Sequence, residues 1–346
     1  PFGWRFMGTL FGVLMLPLMY LLAKQMFRST KFAGVATFLL AFDFMHFTQT
    51  RVATIDTYAT FFIMVMFYFM YRFYQTNYHL EGTRNAKKYL FWAGLFFGIG
   101  AASKWTCIYA GAGLAVVFVI YMVRRYLEYK KLAQPQFKNS AKAAEIRGAY
   151  VKNTVDICLW CVVYFVLIPL CIYWLAYLPY AFLKNNHYSV ADIMGIQQRM
   201  YDYHSALKAE HPFSSQWYTW PVMKRPIWYF SGGTPENNTV SSIAAFGNPA
   251  VWWVSLPATF AMIGIGIREL LQSRKTPAAD GKKSAHTFAG MLAVFLLVGY
   301  LAEYMPWMGV KRLVFIYHYF TSVPFLVLMI TYVAWYVYQH LKDDRQ

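Results

Sequence analysis

Charged residues are scarce in this chain. Asp, Glu, Lys and Arg make up 14% of the 346 residues and only 15 of these are acidic, whereas hydrophobic residues reach 58% and aromatic residues 20%. No ordinary water-soluble domain has this balance. Together with a mean hydropathy of +0.34, it indicates an all-α polytopic membrane protein.

The sequence also lacks the P-loop, the dinucleotide fingerprint, GxSxG and HExxH. No His and Cys set has metal-ligand spacing, and nothing resembles an acidic metal cage. We therefore expect neither a metal nor a cofactor. The net charge of +17 would suggest nucleic acid in a soluble protein, but the basic residues fall mostly in short loops between apolar runs, which is typical of membrane topology. We expect no nucleic-acid partner.

Cysteine is rare, and its four copies (Cys107, Cys158, Cys161 and Cys171) all lie in apolar segments. This placement argues against a disulfide framework of the secreted type and against a zinc cage. Cys158 and Cys161 form a CxxC, but the pair lies on a predicted membrane helix, where packing is the expected role.

Nine apolar runs are long enough to span about 30 Å of hydrocarbon, or most of it. They lie near residues 6–23, 32–48, 53–72, 89–103, 105–123, 154–181, 249–267, 287–305 and 312–338. The two runs beside Lys104 could also be read as one long helix from Tyr89 to Val123.

The basic loops set the orientation. Residues 124–152 carry eight Lys or Arg against two Glu, so this loop is predicted to be cytoplasmic. With nine helices, four further basic segments fall on the same side: 24–31, 73–88, 268–286 and the tail with Lys342 and Arg345. All five basic segments fall on the cytoplasmic side only if one helix ends and another begins at Lys104.

The opposite side collects polar residues that topology does not explain. Four cations lie there at predicted helix ends: Arg5, Arg51, Lys104 and Arg312. Such a group suits recognition of an anion at the membrane surface, and a lipid phosphate is the natural ligand. The alternative is that a residue such as Lys104 only extends to the lipid headgroups.

The stretch HFTQTRVATIDTY, residues 46–58, places His46, Gln49, Arg51 and Asp56 between two apolar runs. An ionisable side chain at the bilayer centre costs roughly 2.5–3.5 kcal/mol, so such a cluster indicates an interface or a water-filled cavity. It is either a binding site or merely a polar loop between two helices.

Two aromatic segments lie on the same side, in residues 211–230 and 304–320. Trp and Tyr prefer the headgroup layer, and three prolines in the first segment favour an interfacial or re-entrant loop. Aromatic rings also stack on sugars, so both a plain aromatic belt and a ligand site remain open. His318 is expected to be a satisfied core residue. The candidates for sugar or acceptor binding are His211, Trp217, Trp220, Arg225, Trp307 and Arg312.

Six motifs taken together resemble the protein O-mannosyltransferases, which are GT-C glycosyltransferases. They are WRFMGTLFG (4–12), FDFMHFTQTRVATIDTY (42–58), GAASKWTC (100–107), HPFSSQWYTWPVMKRPIWYF (211–230), GNPAVWW (247–253) and YMPWMGVKRLVFIYHYF (304–320). They cover nearly the whole chain in the family's order, which is far more specific than any single motif.

The resemblance implies transfer of mannose from polyprenyl or dolichyl phosphate mannose to Ser or Thr hydroxyls of proteins on the extracytoplasmic face, with inversion. The residues that match the family's lipid-phosphate motifs are Arg5, His46, Gln49, Arg51 and Lys104. Cations there would stabilise the charge that grows on the leaving phosphate, while an acceptor hydroxyl needs a positioned base. The expected partners are the lipid-linked donor, a Ser/Thr protein acceptor and membrane lipids; a dimer is left open.

The sequence departs from the family pattern at its start. It begins with Pro1, without an initiator methionine or a signal peptide pattern, and the family's catalytic acidic pair lies ahead of the WR motif. We therefore expect an amino-terminal portion to be missing and this chain to be inactive alone, which detection of donor-dependent transfer would contradict. Asp56 is expected to be a supporting residue that orients Arg51 or a neighbouring group.

The predicted organisation is residues 1–183 as the first part of the membrane core, 184–248 as an outer segment and 249–346 as the last membrane helices. The 65 residues of the outer segment are too few for the MIR domain of larger eukaryotic members. This favours a bacterial member in the plasma membrane, with the active site facing outside.

Two other readings compete with this one. The same fold and phosphate site could serve another sugar, or a lipid or polysaccharide acceptor, and only an acceptor assay separates these cases. A transporter would instead show inverted repeats and ionisable residues at mid-membrane. The sequence has no internal repeat, and its polar residues gather on one side.

Overall fold

The structure is a computed structural model that describes residues 2–182, 189–206, 210–234, 239–276 and 281–343. Within these ranges the chain is mainly helical, with one β-hairpin. The helices are α1 (Phe2–Phe27), α2 (Thr30–Ala41), α3 (Phe44–Gln49), α4 (Asp56–Tyr74), α5 (Tyr78–Glu81), α6 (Thr83–Ser103), α7 (Cys107–Leu132), α8 (Ala141–Val162), α9 (Ile168–Leu175), α10 (Val190–Ala206), α11 (Pro249–Lys275), α12 (Gly281–Tyr304) and α13 (Val323–Asp343). The strands are β1 (Ile227–Thr234) and β2 (Thr239–Ala245).

The chain divides into two compact units. The first unit comprises residues 1–64 and 198–346, and the second comprises residues 65–197. Short 3₁₀ turns connect the longer elements at Pro135–Phe137, Leu178–Phe182, Trp217–Thr219, Met305–Gly309 and Ile316–Ser322.

The first unit is built around α13. This helix packs against α2, α11 and α12, and four successive residues, 326–329, are buried on all sides of it. A helix that is apolar all round is stable only when neighbouring helices or lipid surround it. On one side α1 packs against α2, and Met15 and Met19 of α1 are fully buried.

A polar cluster joins three helices of this unit. Glu269 on α11 is 2% exposed. Its Oε2 lies 2.6 Å from Nδ1 of His286 on α12, and its Oε1 accepts a 2.6 Å hydrogen bond from the Tyr336 hydroxyl on α13. The carboxylate thus links α11 to both neighbours at the end of α11 remote from Asn248.

The second unit packs α6 against the helical run of residues 141–180. A Cβ at Gly94 would overlap the backbone of Tyr164, so glycine allows the two segments to approach closely. Residues 163–167 of that run form a π-helical segment just before Pro169. Proline has no N–H and its ring displaces the carbonyl four residues earlier, which accounts for this irregularity.

The predicted break at Lys104 is confirmed, because α6 ends at Ser103 and α7 begins at Cys107. The predicted span 32–48 is wrong as a single helix. The chain leaves α2 after Ala41 and restarts at Phe44, since Asp43 caps α3 with a buried side chain. Among the described residues six helices are long and apolar enough to cross a membrane, so the predicted count of nine is not confirmed.

The β-hairpin was not predicted, and it is the exception to the all-α expectation. β1 and β2 pair antiparallel from Ile227 with Ala245 to Thr234 with Thr239, within the predicted outer segment 184–248. The sequence also offers a glycosylation-type sequon at Asn237, which lies outside the described residues, as do Lys184 and Arg345.

Candidate functional site

The site begins with Asp43, which precedes the six-residue helix α3. Its carboxylate is fully buried. It accepts hydrogen bonds from the His46 backbone N–H (3.0 Å), the Trp252 indole N–H (2.9 Å) and the Asn248 backbone N–H (3.2 Å). One carboxylate therefore caps α3 and fastens it to the start of α11.

Burial shifts the pKa of the Asp43 carboxyl but does not neutralise it at pH 7. It raises the pKa of this carboxyl from 3.8 to about 6, although the hydrogen bonds from His46, Asn248 and Trp252 act in the opposite direction. The group is therefore still ionised at neutral pH. As a carboxylate it is an acceptor only, which matches its three donors.

His46 is buried against α1. Its Nε2 lies 3.1 Å from the carbonyl oxygen of Gly12 and donates to it. Burial lowers the pKa of the imidazole from 6.5 to about 4, and the charge of Arg51 acts in the same direction. His46 is thus neutral at pH 7 and packs α3 against α1. Its predicted contact with a lipid phosphate stays a prediction.

Two glycines let α1 approach this segment. A Cβ at Gly12 would overlap the Thr50 side chain, and a Cβ at Gly8 would lie 3.2 Å from the Thr50 carbonyl oxygen. The face of α1 that carries Gly8 also carries Arg5 three residues earlier. Arg5 is exposed, with its guanidinium 5.6 Å from the Trp4 ring, and its predicted contact with a lipid phosphate stays a prediction.

Gln49 joins α3 to the hairpin. It is fully buried, and its amide nitrogen donates a 2.8 Å hydrogen bond to the Tyr229 hydroxyl, while its amide oxygen accepts one of 2.8 Å from the Thr54 hydroxyl. Both ends of the amide are thus engaged by the protein. Its predicted contact with phosphate is untested, and its observed contacts hold the turn in place.

Arg51 is the exposed cation on this turn. Its guanidinium lies 3.4 Å from the centre of the Phe47 ring, and Nη1 donates to the Phe47 carbonyl at 3.0 Å. Two residues later Ala53 has a φ of 56°, a left-handed conformation that non-glycine residues adopt mostly at constrained and functional positions. The turn therefore presents a guanidinium fork that is suited to a phosphate.

Asp56 begins α4 and is buried. Its charge acts on the hydroxyls of Tyr229 and Tyr317, so it lies on the hairpin side of the turn. The predicted role, orientation of Arg51 or a neighbour, stays a prediction. Lys104 belongs to the second unit, in extended backbone between α6 and α7, and its predicted contact with a lipid phosphate is likewise untested.

The predicted aromatic candidates divide by burial. Trp220 is fully buried and Trp307 is 2% exposed, and their rings meet edge to face at 5.6 Å. Trp220 also donates its indole N–H to Ser215. The two rings therefore pack the outer segment against the turn Met305–Gly309. Their predicted role in binding sugar or acceptor stays a prediction.

The remaining candidates are more accessible. His211 packs edge to face on Phe315 at 5.1 Å, and Trp217 accepts a hydrogen bond at its carbonyl from Tyr304. The exposed Arg225 donates to backbone carbonyls of residues 212 and 214. Arg312 is half-buried, and its charge acts on His204 and Tyr317.

His318 is a core residue, as predicted. It is 4% exposed, its Nδ1 lies 3.0 Å from the Phe315 carbonyl oxygen, and its ring stacks on Trp220. Within the described ranges no three His, Cys, Asp or Glu side chains could share a metal ion. The expectation that the site holds no metal stays a prediction.

Sequence reasoning missed two residues of this site. Asp43 could have been noticed as a lone acid inside an apolar run, because a carboxylate there needs partners. Tyr229 gave no such signal, since it is one of many tyrosines in an aromatic segment and its partner Gln49 is 180 residues away.

Comparison with solved structures identifies the class of fold. The chain superposes on the Saccharomyces cerevisiae protein O-mannosyltransferase Pmt1-Pmt2 complex bound to the sugar donor, with a TM-score of 0.73 over 95% of this chain and 72% of that chain. At 12% sequence identity this likeness shows the fold alone. The prediction of a GT-C membrane protein is confirmed.

Family models then identify the family. Residues 1–183 match the model of dolichyl-phosphate-mannose-protein mannosyltransferase, and residues 189–346 match the C-terminal four-transmembrane region of protein O-mannosyltransferase. The chain belongs to the protein O-mannosyltransferase family and is an integral membrane protein.

Curated relatives carry matching names. A polyprenol-phosphate-mannose–protein mannosyltransferase of Mycolicibacterium smegmatis is 24% identical over 96% of this chain and 66% of the relative. One from Corynebacterium glutamicum is 23% identical over 95% of this chain and 65% of the relative. The chain thus spans about two thirds of the length of these relatives.

Proposed function

We propose that this chain is part of an enzyme that transfers mannose from polyprenyl phosphate mannose to Ser or Thr hydroxyls of proteins. Membership of the family and the names of the relatives support this reading. The observation that carries it for this chain is the turn between α3 and α4. There one exposed guanidinium, Arg51, stands on a segment that is fixed from three sides.

Three separate sets of contacts hold the turn between α3 and α4. Asp43 fastens α3 to α11, Gly12 lets α1 rest on the turn, and Gln49 ties the turn to Tyr229 of the hairpin. A cation held in this way loses little freedom when it binds an anion, so more of the interaction appears as affinity.

Chemically, the turn suits the phosphate side of the donor. When the bond from mannose to phosphate breaks, negative charge grows on the leaving phosphate, and a guanidinium already in place stabilises it without reorganisation. The buried neighbours Asp43 and His46 position this turn through their hydrogen bonds to α11 and α1.

The side of the membrane and the assembly are part of this proposal. We place the site on the extracytoplasmic face of a bacterial plasma membrane, since the basic segments assign the opposite ends of the helices to the cytoplasm. The relatives from Mycolicibacterium smegmatis and Corynebacterium glutamicum, which match nearly the whole chain, are bacterial. The structural neighbour is a complex of two chains, and a dimer of this chain stays a proposal.

The experiment is binding of polyprenyl phosphate to the purified chain in lipid nanodiscs. Loss of one charge-assisted hydrogen bond to a ligand costs about 1.5–3 kcal/mol, so Arg51→Ala should weaken binding roughly tenfold or more. Arg274→Ala is the matched control, because it removes an equally exposed arginine from the last turn of α11. Equal affinities in all three proteins would contradict the proposal.

The sugar and the acceptor need a second assay. Polyprenyl phosphates that carry mannose or another hexose are offered with a Ser/Thr peptide to membranes that contain the natural protein. Preference for mannose and transfer to the hydroxyl support the proposed function. Transfer of another sugar, or transfer only to a lipid or polysaccharide, would assign the same phosphate site to a different reaction.

A further inference from the structure

The hairpin has one occupied and one open edge. β1 and β2 form a two-stranded sheet, and the outer side of β2 faces α3, where the Thr48 hydroxyl donates to the Ala244 carbonyl at 3.3 Å. In the part of the chain that the structure describes, no strand pairs with the other side of β1. An unpaired strand edge is a template for an added strand.

A β-bulge interrupts β1 beside α3. Trp228 pairs with Ala244 and Phe230 pairs with Ile243, so Tyr229 is the extra residue between them. Bulges leave one residue out of the ladder and redirect its side chain, and they are frequent next to active sites. Here the redirected hydroxyl meets Gln49 at 2.8 Å, which brings β1 to the predicted donor site.

An open depression in the surface follows the same strand. It has a volume of about 440 Å³ and is lined by Phe213 and by four successive residues of β1: Trp228, Tyr229, Phe230 and Ser231. Because these four residues are successive in the chain, the depression runs along the backbone of β1, on both sides of the bulge. We call it the β1 groove.

We propose that the β1 groove binds the acceptor polypeptide as an extended strand added to β1. This rests on the proposed function and names where its protein substrate lies. Main-chain hydrogen bonds would give affinity without a fixed sequence, and the aromatic rings of Phe213 and Trp228 would contact alternate side chains. A Ser or Thr of that strand would then lie beside Tyr229, and thus beside the turn with Arg51.

The groove fits a peptide better than the isoprenoid tail of the donor. A strand edge offers N–H and C=O groups, which a hydrocarbon cannot use and which are costly to cover without partners. Tyr229 connects the groove with the predicted donor site: it lines the groove, and its hydroxyl accepts a hydrogen bond from Gln49.

The experiment uses an uncharged peptide of alternating Ala and Thr, labelled with fluorescein, and measures its binding to the chain in nanodiscs by fluorescence anisotropy. Two versions carry backbone N-methyl groups, at every Ala or at every Thr. An added strand points successive N–H groups to opposite sides. One methylated version should therefore bind at least tenfold more weakly, and the other within twofold of the parent peptide. Equal loss in both versions, or no loss in either, would overturn the proposal.

A variant pair tests the location. Trp228→Ala should weaken binding of the parent peptide at least fivefold, whereas Tyr218→Ala should leave it unchanged, because Tyr218 is an exposed aromatic of the same outer segment that does not line the groove. Weakening by Tyr218→Ala alone would refute the location. The methylated peptides need no variant, so a misfolded Trp228→Ala protein would not remove the test.

Two further measurements separate the possible failures. If polyprenol without phosphate displaces the peptide, the groove holds the donor tail and the proposal is wrong. If the peptides fail to discriminate while polyprenyl phosphate still binds in an Arg51-dependent manner, the acceptor groove is refuted and the proposed function stands. If the peptides discriminate as expected but polyprenyl phosphate binds equally to the unmodified chain and to Arg51→Ala, the proposed function is refuted instead.

Discussion

Asp43 and His46 should respond to pH in opposite directions, although they are three residues apart. The folded chain raises the pKa of Asp43 from 3.8 to about 6, so it holds this proton more tightly than the unfolded chain does. The stability that this group contributes is fully present below about pH 4 and is lost as the pH rises to 6. The folded chain lowers the pKa of His46 from 6.5 to about 4. Its contribution is fully present above pH 6.5 and is lost as the pH falls to 4.

Both changes are of similar size. Each pKa unit corresponds to about 1.4 kcal/mol, so each residue changes the free energy of unfolding by about 3 kcal/mol across the same window. In the unmodified chain the two contributions nearly cancel. Asp43→Asn removes the first, and its stability relative to the unmodified chain should fall by about 3 kcal/mol on acidification from pH 6.5 to 4. The stability of His46→Gln relative to the unmodified chain should instead rise by about 3 kcal/mol over the same change of pH.

The assay is equilibrium unfolding in mixed detergent micelles, followed by tryptophan fluorescence at several pH values. Other titrating groups are common to all the proteins and cancel in the differences. The double variant should again match the pH profile of the unmodified chain. Parallel profiles for the unmodified chain and both single variants would show that neither side chain has the buried environment described here.

Two further substitutions test the packing. Gly12→Ala forces a methyl group into the Thr50 side chain, so we expect about 1–3 kcal/mol lower stability and weaker binding of polyprenyl phosphate. Gly34→Ala, in an equally helical position with open space, should leave both unchanged or add up to about 1 kcal/mol of stability; equal effects of the two would contradict the close approach. Glu269→Ala removes the partner of the buried Tyr336 and of the half-buried His286 and should cost about 3 kcal/mol in unfolding experiments. It should not change the affinity for polyprenyl phosphate, and a large change would show that the two ends of α11 are coupled.

The distribution of basic residues explains one part of the fold that the sequence could predict. The five basic segments fall on one side of the membrane only if the chain breaks at Lys104, and α6 does end just before this residue. Asp43 sits in a similar run, but its effect depends on Trp252 and Asn248, which lie more than 200 residues away. No local pattern contains that information, so the run 32–48 looked like one helix.

The same limit applies to the aromatic residues. Composition predicts that an aromatic outer segment lies at the interface, but it does not separate rings that pack together from rings that face a ligand. Trp220 is fully buried, whereas Trp228 is 41% exposed and lines the groove. The hairpin was missed for a related reason: the β1 residues IWYF are as typical of an interfacial aromatic belt as they are of a β-strand.

The most direct measurement is photo-crosslinking with a polyprenyl phosphate that carries a diazirine next to the phosphate, followed by mapping of the labelled peptide. The account predicts that the label lies within residues 44–58 and that Arg51→Ala removes most of it, whereas Arg274→Ala does not. A label confined to the basic segment 268–286, or one that Arg51→Ala leaves unchanged, would contradict the claim that the turn between α3 and α4 binds the donor phosphate.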